Sequence, residues 1–453
     1  MIAWVNQYIF GAGVPILLMG AGIFFGFRLG WFHLLHPRAV VGALRGERRG
    51  SALRALSLAL AGTLGVGNLV GVSAAIALGG AGAIFWMWVS AAFAMLLKYA
   101  EIVLAMRHRL TDGEGRYHGG APYYLRVTFA KAGMRRIGAV VAALFSAALI
   151  LNALTMGSMI QSGAMADAVE GVLGVPPLLT GGIAALLLCL VLRRGTEGVL
   201  RVTGILVPLM SVGFVVLSGA VLILRAEAIP AAFSSILSEA FRPSSAAGGV
   251  VGFLLSHGLR YGVMRGVISN EAGCGTAPMA HAVSDCRSPA RQGVFGIFEV
   301  FVDTHLLCTV TALVVLVNLP ATKTGEGDFM MMTVRAFEAT LGRSAAVFLA
   351  LAVLLFGFAT VICWSHYGTE SVAFLWRGRW ARRGFLMAYV ASVLLGAAVG
   401  SDAVWQVADL SVGIMTFLNV AGLCLGSGEV REETKRWLLE TRAQKNDNLH
   451  SKK

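Results

Sequence analysis

The chain has 453 residues, 57% of them hydrophobic and 13% charged, about half the charged fraction that a water-exposed surface needs. Its 56 glycines follow no collagen-like period, its six cysteines form no CxxC pair, and its net charge of +13 sits mainly between apolar runs. A cytosolic enzyme, a disulfide-stapled secreted domain and a disordered polymer are excluded, and the basic charge marks membrane-flanking loops rather than a nucleic-acid partner.

A membrane span needs about 20 mainly apolar residues. Eleven windows meet that need in chain order: 8–30, 54–79, 83–109, 137–165, 176–192, 199–224, 249–281, 293–318, 344–368, 384–400 and 404–427. The first has no basic stretch ahead of it, and Arg38, Arg45, Arg48 and Arg49 follow it, which is the pattern of a spanning helix rather than a cleaved signal. Segments 31–54, 107–136, 193–201, 282–292, 369–383 and the tail hold 28 Lys and Arg, while the alternate segments hold five. The basic set is therefore expected in the cytoplasm of a multi-pass cell (inner) membrane protein, with the N-terminus outside and the C-terminus inside. The expected organisation is an extra N-terminal helix with its connector (1–50), a first five-helix unit (51–225), a second (226–427) and a solvated, fraying cytoplasmic tail helix (428–453).

Two of the windows are too long and too glycine-rich for plain helix. One holds Gly62-Thr63-Leu64-Gly65-Val66-Gly67-Asn68, the other Ser269-Asn270-Glu271-Ala272-Gly273-Cys274-Gly275-Thr276-Ala277-Pro278. Glycines in succession, with a proline nearby, disfavour continuous helix and free backbone groups, which are tolerated at membrane depth only inside protein or around a polar cavity. Dense packing around small residues is the competing explanation. Against it, the two segments fall first and sixth among ten helices once the N-terminal one is set aside. Paired interrupted helices in corresponding halves point to a transporter's midplane site.

Half-helix N-termini offer free N–H groups and partial positive charge to a carboxylate, while half-helix C-termini and unwound carbonyls suit Na⁺ or an ammonium group. Two such breaks can hold a small zwitterion without charged side chains. Thr63, Asn68 and Thr276 add the hard oxygens that Na⁺ prefers.

The run Gly67-Asn68-Leu69-Val70-Gly71-Val72, the stretch Ala75 to Trp88, Lys98-Tyr99-Ala100-Glu101 and Tyr117-His118-Gly119-Gly120 resemble the sodium:alanine symporter (alanine or glycine:cation symporter) family. So do Arg265-Gly266-Val267-Ile268-Ser269-Asn270-Glu271-Ala272-Gly273-Cys274-Gly275-Thr276-Ala277-Pro278, Val302-Asp303-Thr304, Trp364-Ser365 and Trp405 with Ala408-Asp409. The matches run in order from about residue 60 to 420. The resemblance implies a LeuT-like core of two inverted five-helix repeats with one extra N-terminal helix, and import of alanine or glycine by symport with Na⁺. It implies substrate contacts from Thr63, Gly65, Val66, Gly67, Asn68, Gln161, Gly273, Cys274, Gly275, Thr276, Cys363 and Trp364. It implies Na⁺ ligands at Ala61, Leu64 and Thr360, with Na⁺ as the coupling ion, no other cofactor and no obligate protein partner beyond membrane lipid. Ser158, Gly163, Ile268, Cys363, His366, Val412 and Leu418 depart from the family pattern and unsettle substrate choice and coupling ion, so an H⁺-coupled or differently selective carrier is the alternative.

The other polar residues have structural readings. Glu271 is expected to pair with Arg265 or cap freed amides, in a structural or gating role rather than as an ion ligand, and Asp303 and Asp409 to hold neighbouring helices. Lys98 and Glu101 are read as an i,i+3 pair with Lys98 snorkelling, the histidines as packing partners, and Trp86-Met87-Trp88 as an interfacial belt. No HExxH, nucleophile elbow or Walker loop is present, which argues against a membrane enzyme.

Overall fold

A computed structural model describes residues 2–44, 49–241, 257–321, 329–376, 378–399 and 402–450. Apart from one two-residue-a-side hairpin, Leu110–Thr111 with Tyr117–His118, the described elements are helical. The chain runs through α1 (Gly11–Leu29), then α2 (Arg49–Thr63) and α3 (Val72–Gly79), which flank the first expected break. Next come α4 (Gly82–His108), α5 (Arg135–Leu154), α6 (Ile160–Leu173), α7 (Pro177–Leu192) and α8 (Gly195–Leu224). The second half holds α9 (His257–Asn270) and α10 (Ala277–His281) around the second break, then α11 (Pro289–Val300) and α12 (Thr309–Val317). It closes with α13 (Arg343–Leu375), α14 (Arg379–Ala398) and α15 (Asp402–His450).

Among the described residues, seven helical stretches are long and apolar enough to cross a membrane, and the bent pair α2–α3 makes an eighth. The other expected spans coincide with α1, α7 and the interrupted pair α9–α10, which are helical but shorter; the start of the seventh window, 249–256, lies outside the described residues. Burial sorts the helices. Most of α4 and α13 is buried, so their small and apolar residues pack on all sides, whereas α8 exposes Leu209, Val216 and Ile223 as a lipid-facing helix should. The core forms where α4 packs on α9 and α11, and where α13 packs on α2, α5, α6 and α8.

Besides Val5–Phe10 near the N-terminus, three segments are π-helical turns: Gly67–Gly71, Thr155–Met159 and Phe301–Cys308. Such turns concentrate at functional sites because each widens the helix and frees backbone groups. All three converge on the same region, described below.

Two expectations need correction here. The tail is not a fully solvated helix: α15 runs 49 residues without interruption and buries Val430, Thr434 and Trp437. Its apolar stripe packs against Phe32 and Tyr99, with a 2.8 Å hydrogen bond between the Thr434 and Tyr99 hydroxyls, while Glu429 and Glu433 meet Arg107. Trp86 and Trp88 are likewise not simply an interfacial belt, because their indole N–H groups donate inward to the Ala240 carbonyl (2.9 Å) and the Thr309 hydroxyl (2.7 Å).

Candidate functional site

The first break spans Thr63 to Gly67, and α2 and the helix resuming at Gly67 diverge by 52°. Gly65 is what allows it. A Cβ there would lie 2.6 Å from the Thr360 hydroxyl and 3.0 Å from Gln161 Oε1, so only a residue without side chain lets both polar groups reach the backbone. Gln161, placed by the π-turn that precedes α6, accepts the Val66 N–H at 3.2 Å and donates to the Met156 carbonyl at 3.3 Å. The Thr360 hydroxyl lies 2.9 Å from the Ala61 carbonyl and 3.0 Å from that of Phe356, one turn back on α13. Carbonyl and hydroxyl oxygens thus cluster at the C-terminal end of α2, where the helix dipole is negative.

The second break runs from Glu271 to Thr276 and turns on three residues with positive φ: Glu271 (53°), Gly273 (84°) and Gly275 (79°). Its backbone is held from outside. Asn419 donates to the Gly273 carbonyl (2.9 Å) and to Glu101 (2.5 Å), and Glu101 also accepts the Gly275 N–H (2.9 Å).

A small cavity of about 20 Å³, room for roughly one water, lies between the breaks. Thr63, Gly65, Val66, Gly67, Gln161 and Trp364, all expected site residues, line it. Above it opens a second cavity of ≈ 690 Å³, bordered by Asp167, Gln406 and Asp409 among others. Val66, Val70, Ile160, Arg265 and Trp405 line both, so they form the partition, and the Arg265 guanidinium stacks 5.5 Å from the Trp405 ring.

The remaining expected residues stand elsewhere. Asn68 is buried beside the cavity, donating to Asp303 (2.7 Å) and Ser269 (3.1 Å). Gly273, Cys274 and Gly275 face the α4–α15 side, where Cys274 Sγ meets the Thr416 hydroxyl at 3.6 Å, and the Thr276 hydroxyl donates to Glu271. Cys363 turns its thiol to the Leu58 carbonyl (3.0 Å). Ala61 and Leu64 are buried at the end of α2, next to Thr360. Sequence reasoning assigned no cavity role to Met156, Ile160, Arg265 or Trp405. The last two lay in the quoted motifs, whereas two apolar residues on a span carry no signal that separates lining from packing.

The buried charges are arranged differently from the expected Lys98–Glu101 pair. Lys98 does not snorkel: it is fully buried, 3.1 Å from Glu299, and donates to the Asn270 carbonyl at 2.6 Å. Glu299 also meets His281 (3.2 Å), which Gln292 anchors in turn (2.8 Å). Lys98 points to α9 and α11 because those helices pack along α4 and supply the anion and carbonyl that a buried ammonium requires. Asp303 does bind its neighbours together as expected, accepting from Asn68, Ser269 and Thr304.

Two interrupted helices meeting at a small cavity, next to a larger one, are the arrangement of a secondary transporter. A profile of the sodium:alanine symporter family matches residues 1–451. The chain is 36% identical over 445 residues to Sodium/alanine symporter AgcS of Methanococcus maripaludis, covering 96% of each. It is 29% identical over 446 residues to Probable sodium/glutamine symporter GlnT of Bacillus subtilis, covering 97% of this chain and 91% of the other. A solved structure, the substrate-bound outward-open state of a Na⁺-coupled sialic acid symporter, aligns with TM-score 0.52 at 12% identity over 96% of this chain and 86% of that one. The chain belongs to the sodium:alanine symporter family. It is a multi-pass membrane protein of LeuT-like fold, a cation-coupled amino-acid symporter and not an enzyme.

Proposed function

We propose that the protein imports a small neutral amino acid, alanine or glycine, together with Na⁺ across the cell (inner) membrane. The observation that carries this reading is the Gly65 cleft, where an unwound backbone, the Gln161 amide and the Thr360 hydroxyl converge on a cavity walled by Trp364. A site this small, with a buried Trp as one wall, favours short side chains. Thr63, Gly65, Val66, Gly67, Gln161 and Trp364 hold the amino acid. Ala61, Leu64 and Thr360 hold Na⁺, an oxygen set suited to a hard cation. The N-terminus lies outside and the C-terminus in the cytoplasm, so the large cavity faces outward, and segments 51–225 and 226–427 are the two inverted repeats.

Reconstituted vesicles test this. Alanine or glycine should accumulate against its gradient when an inward Na⁺ gradient is imposed and only equilibrate without one. Accumulation driven by a proton gradient alone, or of another amino acid in preference to both, would replace the reading.

A further inference from the structure

We propose that the Glu271 carboxylate receives the ammonium group of the transported amino acid. This rests on the small cavity being the substrate site, as proposed above, but it is independent of which amino acid is carried.

Glu271 and Arg265 are the two charged side chains lining that cavity, and they differ in position. Arg265 stands at the partition with the large cavity, whereas Glu271 lines the small one alone. Positive charge thus sits at the mouth and negative charge at depth, the polarity that a zwitterion would match.

Backbone geometry singles out the same residue. Gly273 and Gly275 occupy the left-handed region without strain, but Glu271 sits there at φ 53° with a full side chain. A glycine would satisfy that turn, so something other than the turn keeps a carboxylate at this position, and strained residues of this kind cluster at ligand sites.

The carboxylate also keeps acceptor positions for a further donor. It is 3% exposed, and among the described residues its one hydrogen-bond partner is the Thr276 hydroxyl, 2.6 Å from Oε2. An ionised carboxylate has about four acceptor positions. Lys98, the nearby buried cation, is committed to Glu299 and to the Asn270 carbonyl. A buried charge so placed calls for a cationic partner, and the cavity it lines is where a substrate ammonium would arrive.

Glu271→Gln separates this role from a structural one, since it keeps the volume and an acceptor for Thr276 and removes only the charge. Binding to purified protein is measured for alanine, glycine, serine and glutamine, and for the hydroxy acid matching whichever binds (lactate for alanine). Wild type should prefer the amino acid strongly; in Glu271→Gln that preference should fall at least tenfold, with melting temperature nearly unchanged. Should Glu271→Gln fail to fold, Glu271→Asp withdraws the charge by one methylene and should lower the preference in the same direction. An unchanged amino-acid to hydroxy-acid ratio in the folded variant overturns the proposal. If serine or glutamine binds and alanine and glycine do not, the substrate assignment above falls while Glu271 is still tested on the ligand that binds. If none of the four binds, both readings fall.

Discussion

The Thr360 hydroxyl lies 2.9 Å from the Ala61 carbonyl, joining the buried helix α13 to the end of the half-helix that the first break interrupts. Two oxygens from different helices meet there, on a negative helix terminus. If they hold Na⁺, Thr360→Val should raise the Na⁺ concentration for half-maximal transport several-fold, since the shape is nearly kept and one ligand is lost. An unaltered Na⁺ response with normal uptake would remove Thr360 from the ion site.

Gly65 and Gly67 should respond differently to the same small change. Alanine at Gly65 collides with Thr360 and Gln161, so it should abolish both Na⁺ and substrate affinity. Alanine at Gly67 meets nothing nearer than the Ser269 Cα at 3.8 Å, and it favours helix by about 0.8–1 kcal/mol. Gly67→Ala should therefore melt no lower than wild type while binding substrate more weakly. Wild-type affinity with a lowered melting temperature would make Gly67 a packing residue instead.

The Lys98–Glu299 pair is buried on both sides. Lys98→Met should destabilise by about 3–5 kcal/mol, because it strands the Glu299 charge. Lys98→Met with Glu299→Gln should recover part of that loss. Melting curves of the two single variants and the double in detergent give the coupling, and additive effects would show that the pair is not a unit.

His118, in the hairpin outside the spans, bridges two carboxylates, 3.0 Å from Glu370 at the end of α13 and 3.2 Å from Asp112. The hydrogen bond to Glu370 is the chief cause that raises its pKa from 6.5 to about 9, and Asp112, itself bound to Arg116 at 2.9 Å, adds to it. Because the folded value is raised, the stabilisation is fully present below about pH 6.5 and is lost as pH rises through about 9. Melting temperature should decline over that window in wild type and more weakly in His118→Gln. Parallel curves would exclude the histidine as the group responsible.

Much of this architecture is readable from the chain because two different signals coincide. Apolar length locates the spans, and glycine succession breaks two of them, at Gly65–Gly67 and at Gly273–Gly275, where the structure also turns. The site divides along a physical line. Gly65 declares itself by falling in a glycine-broken span, whereas Thr360 is singled out only by the resemblance to the family. Which face of the second break meets the cavity does not declare itself, since rotation about a broken helix is set by packing from α4 and α15, residues more than 140 positions away. For the same reason Lys98 found Glu299 rather than Glu101: an i,i+3 spacing is local, and the better anion came from another helix.

α15 has a mechanical consequence. At about 1.5 Å per residue its 49 residues make a rod of about 73 Å. One end carries Trp405 and Asp409 at the large cavity, and the far portion is clasped by Phe32, Tyr99 and Arg107. A rod so fixed acts as a lever. If the clasp is the pivot, closing the large cavity by a tilt of even a few degrees swings the Trp405 end by several ångströms, whereas the clasped end barely moves. The sequence beyond the last span would thereby limit how far the Trp405 end can travel over the large cavity.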